Sequence, residues 1–362
     1  MTTAATARAD LSDAALARVT QALAANAGRY DRTAEFPWES VHAVHDAGLL
    51  TVGIGAAYGG HDLSLTDTAR VLQALGKGDP SVALLTAMTV LQHVGQAKTP
   101  RWPARGGLPA TTVTRTGDGW LLNGHKAYGT GAEGLAYHSV WAVTSELDET
   151  AGEPLIGHVI VPGDTPGITV TRTWDHLGLR ASSTHDIVYE NVEVPAENFP
   201  GVPVSQGPSG NEAAAFAGTG LSVIALYVGV ARAAQEFFLA FANERVPTAL
   251  GRPIATTERI ATIAGEIEAQ LTQAEEVLYG LAGRVDAGDP DALRRALVAK
   301  LLITRSASTA VQTALAAIGN PGLTRHNPLE RHFRDIQCSR IHPPQDDAAL
   351  IAAGRRTLAA PR

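Results

Sequence analysis

The chain is poor in the residues that announce chemistry by themselves. Its 362 residues include one cysteine, Cys338. A single thiol forms no internal disulfide and supplies no thiolate cluster, so no metal site is expected. The same scarcity argues against a disulfide-built extracellular fold and makes a cytoplasmic location the expectation. Positive charge is also short. Lys and Arg number 29 against 36 Asp and Glu, a formal charge of −7, and no dense basic stripe overturns it, so nucleic acid is not an expected partner. The longest clean apolar run, Leu221–Ala231, is too short to span a bilayer. The opening MTTAATARAD lacks the apolar core of a secretory signal, and no membrane partner is expected. With 45 % hydrophobic and 18 % charged residues, the composition excludes a disordered chain.

What is present falls into three textures. Up to about residue 103 the pattern is helical. SDAALARVTQALAANAGRYDR starts on an N-cap serine, Ser12, and FPWESVHAVHDAGLL has its proline early and its glycine late. A further helix is capped near Ser64, and SVALLTAMTVLQHVG is apolar nearly all round, the mark of a buried helix. Residues 104–208 instead alternate apolar and polar positions and break often at Gly, Asp, Asn or Pro. TTVTRTGDGWLLNG reads as a hairpin, and GHVIVPG, GITVTRTW and HDIVYENVEVP repeat the pattern, predicting a small antiparallel β-barrel. From 209 to 362 helical periodicity returns over Asn211–Arg245, Thr256–Ala287 and Pro290–Ile318. GNPGLTRHNP follows as a loop, and Leu329–Ala359 reads as a broken fourth helix. Long helices with short connections fold back as a four-helix bundle. The expected architecture is therefore multidomain α+β, with an all-α N-terminal domain, a β-barrel and a C-terminal bundle.

Within the barrel, LLNGHKAYGTGA (Leu121–Ala132) carries no acid and no nucleophile. It offers one ring, Tyr128, one hydroxyl, Thr130, and exposed backbone. That set suits holding a flat cofactor which performs the chemistry itself. An ordinary hairpin, in which Tyr and Thr simply favour β structure, reads the same way.

The order of textures, with GLLTVGIGAAYGGHDLSL, GDGWLLNGHKAYGTGA, LGLRASSTHDIVYENVEVP and NPLERHFRDIQCSRIH in sequence, resembles the acyl-CoA dehydrogenase superfamily over nearly the whole chain. The resemblance implies an FAD-dependent homodimer or homotetramer acting on a small molecule, free or linked to CoA or a carrier protein. An electron-transfer flavoprotein or a flavin reductase is its expected redox partner. It places Tyr128 beside the isoalloxazine and Thr130 at the ring's N5/O4 edge. It places Arg245 at the pyrophosphate, where a planar guanidinium suits a diphosphate, although a helix-end arginine serves the dipole equally. Gly319 and Gly322 fall in its loop over the adenine side. Ser182 and Ser183 could bond flavin or substrate, or simply cap a turn. Arg334–Asp335 reads as a structural pair, and Cys338 as a small buried hydrophobe.

Three departures matter. Dehydrogenation of an acyl thioester needs a base for the α-proton, and the family's glutamate position is Pro343 here; the alternative position is Thr219. Asp346 and Asp347 could substitute only in a reshaped loop. A strand-and-turn segment that covers the flavin in the family is absent between HVGQAKTPRWP and ARGGLPATTVT. Finally, two of the 12 histidines, His342 and His93, stand where proton chemistry would use them, unless both are structural. The first expectation is thus the family's commonest reaction, FAD-dependent oxidation at a CH–CH unit. The second is a reduced-flavin monooxygenase, with FMN or FAD, using His342 and His93. The third is a flavin-free binding protein or non-redox enzyme on the same frame.

Overall fold

The computed structural model describes residues 9–98, 108–207 and 212–359. The expected domain boundaries, 103/104 and 208/209, fall outside the described residues.

The N-terminal part holds helices α1 (Asp13–Thr33), α2 (Trp38–Asp46), α3 (Leu65–Gly78) and α4 (Pro80–Lys98). Their starts follow from local chemistry. Ser12 Oγ accepts the Ala15 N–H at 3.3 Å, Ser64 Oγ accepts that of Asp67 at 2.9 Å, and Asp79 Oδ1 accepts that of Ser81 at 2.9 Å. Each bond satisfies an orphan donor of a first turn.

The middle part is a seven-stranded sheet: β1 (Thr112–Thr116), β2 (Gly119–Gly129), β3 (Tyr137–Thr144), β4 (Leu155–Pro162), β5 (Ile168–Thr171), β6 (His185–Pro195) and β7 (Val202–Pro203). The predicted β1–β2 hairpin forms, with Gly117 at φ +49° in its turn, a conformation that glycine adopts without strain. The strand order is β5-β6-β2-β1-β3-β4-β7. One expectation is corrected: the sheet is not wholly antiparallel, because β1 pairs parallel with β3, Thr112 opposite Val143. The reason is topological. The chain leaves β2 through residues 130–136, passes over its own hairpin and lays β3 on the far side of β1. Two reversals of direction then leave β3 running the same way as β1.

The C-terminal part contains α5 (Glu212–Glu244), α6 (Glu258–Asp286), α7 (Pro290–Ile318), α9 (Leu329–Ile341) and α10 (Asp346–Ala359), with a four-residue helix, α8 (Asn320–Leu323), inside the expected loop. Residues 220–244 and Pro290–Ile318 are long and apolar enough to cross a bilayer, the first of them containing the run Leu221–Ala231; 61 % and 50 % of their apolar windows are buried inside the protein, as in core helices. One continuous core joins N-terminal helices to bundle, from Leu23 and Leu72 to Leu226 and Leu278, whereas the sheet has its own core around Val113, Leu122 and Val159. α3 and α5 approach closely where each carries a glycine. A Cβ on Gly76 would overlap the Leu226 backbone, and one on Gly229 the Gln73 carbonyl.

Candidate active site

The structure sets the loop that ends β2 against the turn before β6. Gly131 N–H donates to Ser182 O at 3.0 Å and Ala132 N–H to Ser183 O at 3.0 Å. Thr184 Oγ1 donates to Thr130 Oγ1 at 3.2 Å and bonds Ser182 Oγ at 2.7 Å. Ser183 Oγ donates to Glu133 Oε2 at 3.2 Å. Ser182 and Ser183 are buried, and both hydroxyls are engaged by the protein. Thr130 is half-buried, and Tyr128, at φ +59°, holds its ring 74 % exposed beside it. The loop therefore presents an uncharged edge of ring and hydroxyl, with no side chain of its own folded over it. A planar heterocycle fits that edge.

Elsewhere, His342 closes α9 and its Nδ1 lies 2.6 Å from the Tyr227 hydroxyl on α5. Burial first, then the nearby charges of Lys300 and His176, pushes the imidazole down to about 4, so it is neutral near pH 7. Burial, with Cys338 and Asp335 nearby, pushes the Tyr227 phenol well above its usual range. Tyr227 is thus an O–H donor and Nδ1 its acceptor, which leaves the His342 proton on Nε2. His176 stacks on Trp174 with centroids 4.2 Å apart and bonds Gly178 O through Nδ1 at 3.1 Å. It approaches Cys338 Sγ at 3.7 Å. Cys338 is buried, its thiol pushed up to about 12 by that burial, so it behaves as the expected hydrophobe.

Among the described residues, two carboxylates near this pair, Asp346 and Asp335, already have partners. Asp346 Oδ1 holds the fully buried Lys300 at 3.0 Å, and its Oδ2 faces Arg305 at 3.6 Å. Asp335 accepts the Leu179 N–H at 2.8 Å; burial raises its pKa against the pull of Arg331. The expected Arg334–Asp335 pair is corrected. Adjacent residues on a helix point in different directions, and Arg334 instead grips Asp31 at 2.7 Å and Glu330 at 2.7 Å. Pro343 occupies the break before α10, and Thr219 lies in a stretch of α5 whose side chains are outside the described residues.

The remaining sequence candidates are dispersed. His93 stands on α4, half-buried, lowered by burial and drawn partly back by a bond to the Leu50 backbone. Arg245 is exposed just past α5, without an ion-pair partner among the described residues. Gly319, at φ +71°, ends α7, and Gly322 is buried in α8 against Leu315. A separate hollow of about 550 Å³ between α1, α2 and the β2–β3 loop is lined by Arg29, Trp38, Glu133 and Arg172. Both arginines there are already paired, to Glu39 and Glu133.

Sequence reasoning missed Tyr227, His176 and Lys300. Tyr227 was legible as the one aromatic residue in LSVIALYVGVA, and Lys300 as a cation on the buried stripe of α7. Their meeting with His342 depends on how α5, α7 and α9 pack.

A helical N-terminal part, a middle sheet whose hairpin presents a cofactor-sized edge, and a helical bundle that closes the core define a class of three-part redox frame. The chain belongs to the acyl-CoA dehydrogenase family. The family's N-terminal, middle and C-terminal domain models match residues 7–100, 106–192 and 213–344. YdbM of Bacillus subtilis (strain 168), which carries an acyl-CoA dehydrogenase name, is 29 % identical over 92 % of this chain and 93 % of its own. L-evernosamine nitrososynthase of a Micromonospora species is 28 % identical over 91 % and 85 %. The structure of KijD3 in complex with dTDP superposes with a TM-score of 0.80 at 25 % identity, covering 97 % of this chain and 98 % of that one.

Proposed function

We propose that this chain is a flavin-dependent monooxygenase on the acyl-CoA dehydrogenase frame, served by a separate flavin reductase and assembled as a homo-oligomer. Bound flavin supplies the electron transfer and the activation of dioxygen. The chain's own residues do the rest. Tyr128 and Thr130 wall the ring edge. Arg245, without an ion pair among the described residues, and the backbone at Gly319 and Gly322 offer contacts to phosphate and adenine in an assembly. His342, kept neutral and held through Nδ1 by Tyr227, presents Nε2–H as a fixed hydrogen-bond donor to the reacting group.

The observation that carries this reading is the Tyr227–His342 bond together with the commitment of Asp346 and Asp335 to other partners. Proton abstraction next to a thioester needs a base, and the family's glutamate position is Pro343 here, with the neutral His342 just before it. Relatives support it. KijD3 has been crystallised with FMN and a dTDP-linked 3-amino-4-keto sugar, and L-evernosamine nitrososynthase is named for chemistry at an amine.

The test uses the purified protein with FMN and FAD, oxidised and reduced. Reduced flavin should raise the melting temperature more than oxidised flavin, and the protein should alter the course of reduced-flavin reoxidation in air. Butyryl-CoA and octanoyl-CoA should leave bound oxidised flavin yellow without oxygen. Anaerobic bleaching by either thioester restores the dehydrogenase reading, and indifference to every flavin form restores the flavin-free one.

A further inference from the structure

The cofactor-sized loop is entered through an irregularity in the sheet. β2 and β6 pair Lys126 with Ile187 and Gly129 with His185. Ala127 and Tyr128 therefore stand against Asp186 alone, a β-bulge, the device that bends a strand and re-aims a side chain. Tyr128 takes up the extra length at φ +59° with its ring 74 % exposed, and a bulky residue in that conformation is strained. The strain is concentrated here. Of the five non-glycine residues at positive φ among the described residues, Tyr128, Leu179 and Ser183 lie at the end of β2 or in the turn before β6. Such strain persists only where the surroundings hold it.

The group that faces the bulge is the Asp186 carboxylate, and side chains from two neighbouring elements fix it. The Thr173 hydroxyl, just past β5, donates to Oδ1 at 3.0 Å and accepts the Asp186 N–H at 3.1 Å. His125, three residues before Tyr128 on β2, places Nε2 2.8 Å from Oδ2. The backbone N–H of Tyr128 bonds the same carboxylate. The Thr173 hydroxyl first, then His125 and this N–H, hold the carboxyl below its usual range against the opposing effect of burial. Three donors thus converge on one side chain. An ionised carboxylate accepts from all of them, whereas an amide has one acceptor oxygen and turns donors of its own towards the rest.

We infer that Asp186 is a positioning residue, which holds Tyr128 in the left-handed conformation that keeps its ring outside the sheet beside Thr130 as a preformed wall for a planar ligand. Asp186 acts through the bulge and not by touching the ligand. Without the carboxylate the bulge relaxes, and a change of register by one residue exchanges the two faces of a strand, so the ring leaves its place. The hold on Tyr128 stands on the sheet geometry; only the identity of the planar ligand as flavin rests on the monooxygenase reading.

Ligand-free crystal structures and FMN titrations of wild-type protein, Asp186→Ala, Tyr128→Ala and the double variant test it. In ligand-free Asp186→Ala, Tyr128 should leave positive φ and its ring should no longer stand beside Thr130. FMN affinity, read from flavin fluorescence, should fall about 10-fold in Tyr128→Ala, the loss of one aromatic wall, and by a similar factor in Asp186→Ala. The double variant should bind no more weakly than Tyr128→Ala, because Asp186 then has nothing left to position. A carboxylate that only braced the sheet would weaken the double variant further. Asp186→Asn, which keeps the shape and gives up one acceptor, stands in if Asp186→Ala does not fold, with the same changes expected. Tyr128 unmoved in the ligand-free variant, or losses that add in the double variant, overturns the inference. If wild-type protein binds no FMN, the flavin reading fails, and the ligand-free structures alone decide whether Asp186 holds Tyr128.

Discussion

The Tyr227 hydroxyl and His342 Nδ1 lie 2.6 Å apart, a bond that ties the interior of α5 to the end of α9. It fixes which ring nitrogen carries the proton, and it stabilises the neutral imidazole. Tyr227→Phe frees the ring to adopt either tautomer. Oxygenation should fall about 10-fold with flavin affinity unchanged, while His342→Gln should cost about 100-fold or more. The His342 pKa in Tyr227→Phe, followed by NMR, should rise from about 4, since the donor that favoured the neutral form has gone. An unmoved titration curve would remove Tyr227 from any positioning role.

His332 gives a pH signature independent of function. It is buried on α9, its Nδ1 has no partner among the described residues, and burial, then the charge of Arg331, pushes it down to about 3. The folded protein thus holds it neutral where the unfolded chain protonates it, below about 6.5. Its contribution to stability is present above 6.5 and is lost as pH falls towards 3. Urea unfolding of His332→Gln at pH 6, 5 and 4 should show a stability slope shallower than wild type by about 1.4 kcal/mol per pH unit.

At the α3–α5 crossing, Gly76→Ala should destabilise the protein by about 3 kcal/mol, because the added methyl overlaps the Leu226 backbone, which cannot move alone. Gly229→Ala should do the same from the other helix. The double variant should cost less than the sum, since one separation of the helices relieves both overlaps. Chemical denaturation of the three variants reads this directly.

The helices were legible in residues such as Ser12, Ser64 and Asp289–Pro290 because caps and prolines act within one turn of chain. The parallel β1–β3 pairing was not, since it depends on where residues 130–136 carry the chain rather than on their composition. The site divided along the same line. Tyr128 and Thr130 stood out inside a recognisable hairpin, and His342 through its place before a missing glutamate. Tyr227 lies 115 positions from His342 in sequence, and no local pattern announces that meeting.

Lys300 offers the sharpest separation of stability from site electrostatics. It is fully buried, and its ammonium rests on Asp346 Oδ1, whose carboxylate is partly exposed and also faces Arg305. Asp346→Asn leaves a charge in the interior without its counter-ion and should cost about 3 kcal/mol. Lys300→Met leaves Asp346 with Arg305 and water and should cost about 1 kcal/mol. The double variant should resemble Lys300→Met, because its remaining groups are neutral and no buried charge is stranded. The His342 titration should follow a different order. Lys300 lowers the imidazole by its charge, so both variants that lack the lysine should show a raised His342 pKa, and Asp346→Asn alone should not. If the His342 pKa instead followed the loss of stability, the ion pair would be acting on the imidazole through its packing, and the lysine charge would have no separate part in keeping His342 neutral.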